Sequence, residues 1–145
     1  VPGALPIVGG WTAAGGPLDT RASILFAILF LWQLPHFLAL SWIYREDYAR
    51  AGLQMLSVED ADGRTTFRQA ALHAAALIPV SLAPAVVGMS GPLYFIGAAV
   101  LSGGYLWASV AAARQPSRDG ARRLFSVSLI YLPSVLVLMI ADRIT

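Results

Sequence analysis

The chain reads as an all-α polytopic membrane protein with four transmembrane helices, and three observations predict this. Four stretches, at about residues 22–43, 69–89, 92–113 and 124–142, stay apolar over the roughly 20 residues needed to cross a bilayer. Only 12% of the 145 residues are charged and 57% are hydrophobic, whereas a soluble domain carries about a quarter charged residues. All ten basic residues are arginines, and eight of them fall in or beside two of the intervening loops.

The elements follow in order. Residues 1–16, VPGALPIVGGWTAAGG, resemble a loop between membrane helices, and the first twenty residues hold no basic region ahead of a short apolar core, so no secretory signal is expected there. Val1 is not an initiator methionine, and the chain is expected to be the C-terminal portion of a longer protein. The first span ends in Trp42 and Tyr44, aromatics of the kind found at membrane–water interfaces. The loop 44–68 follows, holding Arg45, Arg50, Arg64 and Arg68 with five carboxylates. The second and third spans are joined by the tight turn Ser90-Gly91-Pro92, and the third and fourth by residues 114–123, which hold four more arginines. Alternating crossings put both arginine-rich loops on one side, which the positive-inside rule makes cytoplasmic, with Val1 and Thr145 facing outward. Small residues in the second and third spans suit close helix packing. Pro79, Pro84 and Pro133 are expected to bend their helices. The chain has no cysteine, hence neither a disulfide nor a thiolate metal site. It has no basic run long enough to engage nucleic acid.

Polar chemistry concentrates in residues 30–55. A polar side chain inside a span is a functional-site hypothesis by default, because hydrocarbon makes it costly. Gln33 and His36 lie three apart on one helical face. If the helix persists, Asp47 falls within roughly 20° of that face and about 16 Å further along, with Arg50 beside it. Such a stripe would line a cavity open to the cytoplasm. Pro35 withholds an N–H at this depth, so a kink and a pocket beside His36 are expected. Plainer roles remain open: a hydrogen bond from His36 to a neighbouring helix, and a solvated loop pair for Glu46 and Asp47. His73 is expected to be structural. Glu59, Asp60 and Asp62 look like an exposed turn, with cation binding the less favoured reading. Arg114, Arg118, Arg122 and Arg123 are expected to serve topology and lipid headgroups.

Four runs carry a resemblance: GALPIVGGWTAAGG (3–16), LFAILFLWQLPHFLALSW (25–42), YREDYARAGLQML (44–56), and the DGR and RQA near 62–70. Together with the order of the spans they resemble the C-terminal half of the protoheme IX farnesyltransferase (haem O synthase) family, within the UbiA-type intramembrane prenyltransferases. The resemblance implies a nine-helix bundle of which these spans are the last four. It implies transfer of a farnesyl group from farnesyl diphosphate to a vinyl group of protoheme IX, with Mg²⁺, in the cell's cytoplasmic (inner) membrane. On this chain, Asp47 would help to hold diphosphate-bound Mg²⁺, with Arg45 or Arg50 near the phosphates and Tyr48 donating a hydrogen bond. His36 would face the porphyrin, as haem contact or proton acceptor, with Gln33 beside it. Haem A synthase or a terminal oxidase would be the partner receiving the product.

Two departures from the family pattern stand out. Where many members read G-I-P-M-L-P-V, this chain has Gly52-Leu53-Gln54-Met55-Leu56-Ser57-Val58, so the loop is expected to be less rigid. The family's first aspartate-rich motif, N-x-x-x-D-x-x-x-D, does not occur in these residues, so the 145 residues alone are expected to be inactive. Two other functions compete: a UbiA-type prenyltransferase with another acceptor, and a non-catalytic four-helix haem-handling membrane subunit.

Overall fold

The computed structural model of the protein describes residues 5–143, so the expected outward placement of Val1 and Thr145 lies outside the described residues. Seven helices follow one another: α1 (Leu5–Ala13), α2 (Thr20–Ile43), α3 (Arg45–Arg50), α4 (Leu56–Glu59), α5 (Arg64–Val86), α6 (Pro92–Arg114) and α7 (Arg118–Ala141). Four of them, α2, α5, α6 and α7, are long and apolar enough to cross a membrane, as the hydropathy predicts. They close into a bundle in which α2 and α6 each pack on both α5 and α7.

Local chemistry sets where each long helix starts and stops. Asp19 caps α2 by accepting from the backbone N–H groups of Arg21 and Ala22 at 3.0 and 3.2 Å. Pro92 opens α6, where its missing N–H costs nothing. Ser117 caps α7 by accepting from Gly120 N–H at 3.0 Å. Gly88, at φ +78°, ends α5: its N–H bonds to Ala85 and that of Met89 to Pro84, a pairing that closes the last turn. Helices α5 and α7 begin before the apolar stretches do, so that their first two turns carry Arg64 and Arg68, and Arg118, Arg122 and Arg123. The prolines at 35, 79, 84 and 133 all sit inside continuous helices.

Small residues form the packed interior. Ala39, Ala70, Ala74, Ala98 and Ala121 are fully buried, so the backbones approach closely. The larger buried groups are Phe67, Leu77, Leu124 and three tyrosines. Tyr94 donates its hydroxyl to the Ser81 carbonyl at 2.7 Å, and Tyr105 donates to the Trp32 carbonyl at 2.8 Å. Ser81 and Tyr131 share a hydrogen bond, and Tyr131 stacks on Tyr105 with ring centres 5.2 Å apart. These bonds join α5 to α6 and α7, and α6 to α2.

Both connections expected on one side lie at one end of the bundle and touch each other. Gly63, φ +78°, begins α5 under the Trp42 ring and beside Pro116; a Cβ there would come within 2.8 Å of both. At the opposite end Asp142 accepts from Tyr94 N–H at 2.7 Å, and its carbonyl accepts from Gly91 N–H at 2.9 Å.

The alanine interface generates a prediction. Ala74→Leu inserts three carbon atoms where no space exists, and overpacking of this kind costs about 1–3 kcal/mol. The midpoint of unfolding in mixed detergent micelles should fall accordingly; an unchanged midpoint would contradict close packing at α5.

Candidate functional site

The predicted site divides into two parts, because helix α2 stops before it reaches the loop. Tyr44 leaves helical geometry (φ −105°, ψ +22°), and α3 restarts at Arg45. The stripe expected from Gln33 and His36 to Asp47 and Arg50 is therefore not carried by one helix. The cause is local: apolar sequence gives way to Arg-Glu-Asp-Tyr-Ala-Arg, and the chain turns where it no longer gains by staying in hydrocarbon.

At this turn lies a cavity of about 210 Å³ bordered by Trp42, Tyr44, Arg45, Glu46, Asp47 and Arg118. The Arg45 guanidinium sits 4.0 Å from the centre of a Trp42 ring and donates to the Asp60 carbonyl at 3.1 Å. Trp42, expected as an interfacial aromatic, is buried at the helix end and meets Phe67 edge-on at 5.3 Å. Arg118 arrives from the first turn of α7 and donates to the Ile43 carbonyl at 3.3 Å. The sequence alone assigns it to topology and lipid headgroups. Arg50 stands outside the lining and pairs with Asp47 at 3.7 Å, both side chains largely exposed. Exposed pairs of this kind contribute about 0–1 kcal/mol. Tyr48, half-buried on α3, also lies outside the lining; its carbonyl accepts from Leu53 N–H at 3.0 Å.

Two carboxylates, Glu46 and Asp47, reach this cavity. Among the described residues no three histidine, aspartate or glutamate side chains converge to hold a metal ion. A protein-only cage is thus not formed by these residues. Mg²⁺ bound to phosphates makes a smaller demand, since it keeps several waters and takes one or two carboxylates.

Two further acidic residues of this loop are engaged in structure. Asp60 accepts from Thr66 N–H at 2.7 Å and Asp62 from Arg64 N–H at 3.1 Å, so both cap α5. Burial alone pushes the Asp60 carboxyl up, but the hydrogen bonds it accepts, from the backbone N–H groups of Thr66 and Gly63 among them, outweigh this and hold the group below its usual range. Ser57, in the Gly52–Val58 segment, is fully buried and donates to the Ser41 carbonyl of α2 at 3.2 Å. The loop that was expected to be less rigid is tied to the bundle there.

The second part is His36, about 10 Å below the end of α2 by helical rise. Its ring lies nearly parallel to Trp32 at 4.6 Å and to Phe125 of α7 at 4.9 Å, which places it between them. Its Nδ1 is 2.8 Å from Ser128 Oγ, and Trp32 Nε1–H donates to the Ser128 carbonyl at 2.8 Å. The expected pocket beside the ring is filled by these aromatics. Gln33 is buried one turn earlier. His73 donates Nδ1–H to the Gln69 carbonyl at 2.7 Å, a contact within its own helix. Phe125 and Ser128 went unnoticed in the sequence; their one available signal was a polar residue three positions from an aromatic inside an apolar span.

With this geometry in place, comparison with known proteins identifies the lineage. The family model described as the UbiA prenyltransferase family matches residues 1–132. A protoheme IX farnesyltransferase of Solibacter usitatus is 50% identical over 143 residues, covering 99% of this chain and 49% of the relative. Proteins of that name from Koribacter versatilis and Salinibacter ruber are 44% and 40% identical, each covering 98% of this chain and 48% and 50% of their own length. The chain spans about half the length of the curated relatives it matches. No solved structure matches it. Its four apolar helices and the match over residues 1–132 make the chain a multi-pass membrane protein that belongs to the UbiA prenyltransferase family.

Proposed function

We propose that in the whole protein these helices serve the transfer of a farnesyl group from farnesyl diphosphate to a vinyl group of protoheme IX, giving haem O. One observation carries this reading: Arg45 and Arg118 border one polar cavity at the mouth of an apolar bundle. Ionising an allylic diphosphate needs positive charge on the leaving group, and the carbocation must be kept from bulk water. The names of the relatives supply the substrate class.

In this reading the guanidinium groups of Arg45 and Arg118 hold the diphosphate as the C1–O bond breaks, each already oriented by a backbone carbonyl. Glu46 and Asp47 would hold a divalent cation, Mg²⁺, which would supply further positive charge to the leaving diphosphate. Trp42 and the apolar interior exclude water beneath. Farnesyl C1 bonds to the terminal vinyl carbon, water adds to the inner one, and a proton leaves. His36 serves the porphyrin side, as proton acceptor or iron contact. The arginine-rich end is cytoplasmic, the membrane is the cytoplasmic membrane, and the spans are the sixth to ninth of nine. A haem A synthase or terminal oxidase takes the product.

Four variants of the whole protein test the reading. His36→Ala should abolish haem O formation while farnesyl diphosphate still binds; wild-type yield would remove His36 from the chemistry. Asp47→Asn should weaken diphosphate binding in a manner that depends on Mg²⁺ concentration, and an unaltered dependence would leave Asp47 a surface charge. Arg118→Gln should weaken farnesyl diphosphate binding about tenfold, the scale of one charge-assisted hydrogen bond. Arg50→Gln should change it less than about twofold. The reverse order, read by equilibrium binding, would place the phosphates on the outer face of α3.

A further inference from the structure

Ser128 has one hydroxyl proton and two neighbours competing for it. Its Oγ lies 2.5 Å from the Phe125 carbonyl oxygen and 2.8 Å from Nδ1 of His36. A carbonyl has no proton to give, so two oxygens this close need the serine proton between them. That proton is then committed, and the contact with His36 must be Nδ1–H donating to the serine oxygen. A neutral imidazole protonated on Nδ1 carries its lone pair on Nε2.

The surroundings keep the ring in that orientation. Trp32 and Phe125 hold its plane from both sides. Trp32 is itself fixed by the Ser128 carbonyl, so both oxygens of one residue act on the stacked pair. Among the described residues the only buried side-chain polar atom without a partner is Thr66 Oγ1. His36 Nε2, which no hydrogen bond in the bundle engages, therefore reaches the bundle surface.

We propose that Ser128 is a positioning residue that locks His36 in the Nδ1–H tautomer and so presents Nε2 as a lone-pair donor within the membrane. Resting on the function proposed above, the lone pair meets an electrophile on the porphyrin substrate: the proton released when water adds, or the iron. Both demand an unprotonated Nε2, and the opposite tautomer would serve neither.

The test uses the whole protein in lipid with ¹⁵N-labelled histidine. Solid-state NMR spectra of wild type and His36→Gln are subtracted to isolate His36. Wild type should show Nδ1–H, Ser128→Ala a mixture of tautomers, and Ser128→Thr the wild-type pattern, since threonine keeps the hydroxyl. Ser128→Ala should lower kcat for haem O formation about 10–100-fold, the usual loss when a partner orienting a histidine is removed. Its KM for farnesyl diphosphate should stay within about twofold, and Ser128→Thr should restore the rate. A haem Soret band that shifts in Ser128→Ala identifies iron as the electrophile. An unmoved Soret band with a displaced pH–rate profile identifies the proton. An Nε2–H signal in wild type, or a Ser128→Ala spectrum identical to it, overturns the lock. The expected tautomers in a wild-type protein that transfers no farnesyl group would instead overturn the function and leave the lock standing.

Discussion

Hydrocarbon offers no hydrogen bonds, so each polar side chain carried into these spans must find its partner inside the bundle. Most serines and tyrosines of the interior do so by two devices. Ser102 and Ser109 fold back on their own helix, donating to carbonyls four residues earlier at 2.6 and 2.9 Å. Ser81, Tyr94, Tyr105, Tyr131 and Ser128 instead reach across to other helices. The first device leaves a helix free to slide or rotate. The second fixes its register, because a tyrosine hydroxyl meets one carbonyl and no other. Packing of small residues brings the helices together, and these few bonds determine their relative height. His36 belongs to this second set, which is why its ring can be held to one tautomer at all.

The four long helices and their order were legible in the sequence, because an apolar run of bilayer length has few alternatives; the short α1, which falls where the sequence reads as loop, and α3 and α4 were not. The grouping of the arginine loops was legible for the same reason, since alternation follows from counting spans. The site was legible only in part. His36, Asp47 and Arg45 announced themselves as polar or charged residues in or beside an apolar stretch. The continuous stripe failed at Tyr44, because periodicity says which face a residue shares and not where a helix stops. Arg118 and Ser128 were beyond reach for another reason. Their partners, Ile43 and His36, lie 75 and 92 residues away, and contacts of that separation are created by packing, not by local pattern.

Charged residues at the arginine-rich end divide by what they touch. Asp60 and Asp62 cap α5 and so fix where that helix begins. Arg45 and Arg118 each donate to a backbone carbonyl, which limits their side-chain freedom and turns them toward a shared cavity. Arg50 and Arg64 pair only with exposed carboxylates three and two residues away. A preset guanidinium loses less freedom when an anion arrives than a freely moving one. The burial of Trp42 matters here as much as charge does, since its ring supports Arg45 from below.

That indole has a mechanical consequence. It touches Phe67 at the start of α5, carries Arg45 on its face, and leaves room beside Pro116 for glycine alone at position 63. The corner between α2 and α3, the first turn of α5 and the entry to α7 therefore form a single joint. An anion bridging Arg45 and Arg118 would tie that joint from the aqueous side, and whatever binds only the assembled form also stabilises it. The mouth and the framework are then one device: loading the cavity tightens the bundle, and loosening the bundle lowers its grip on the load.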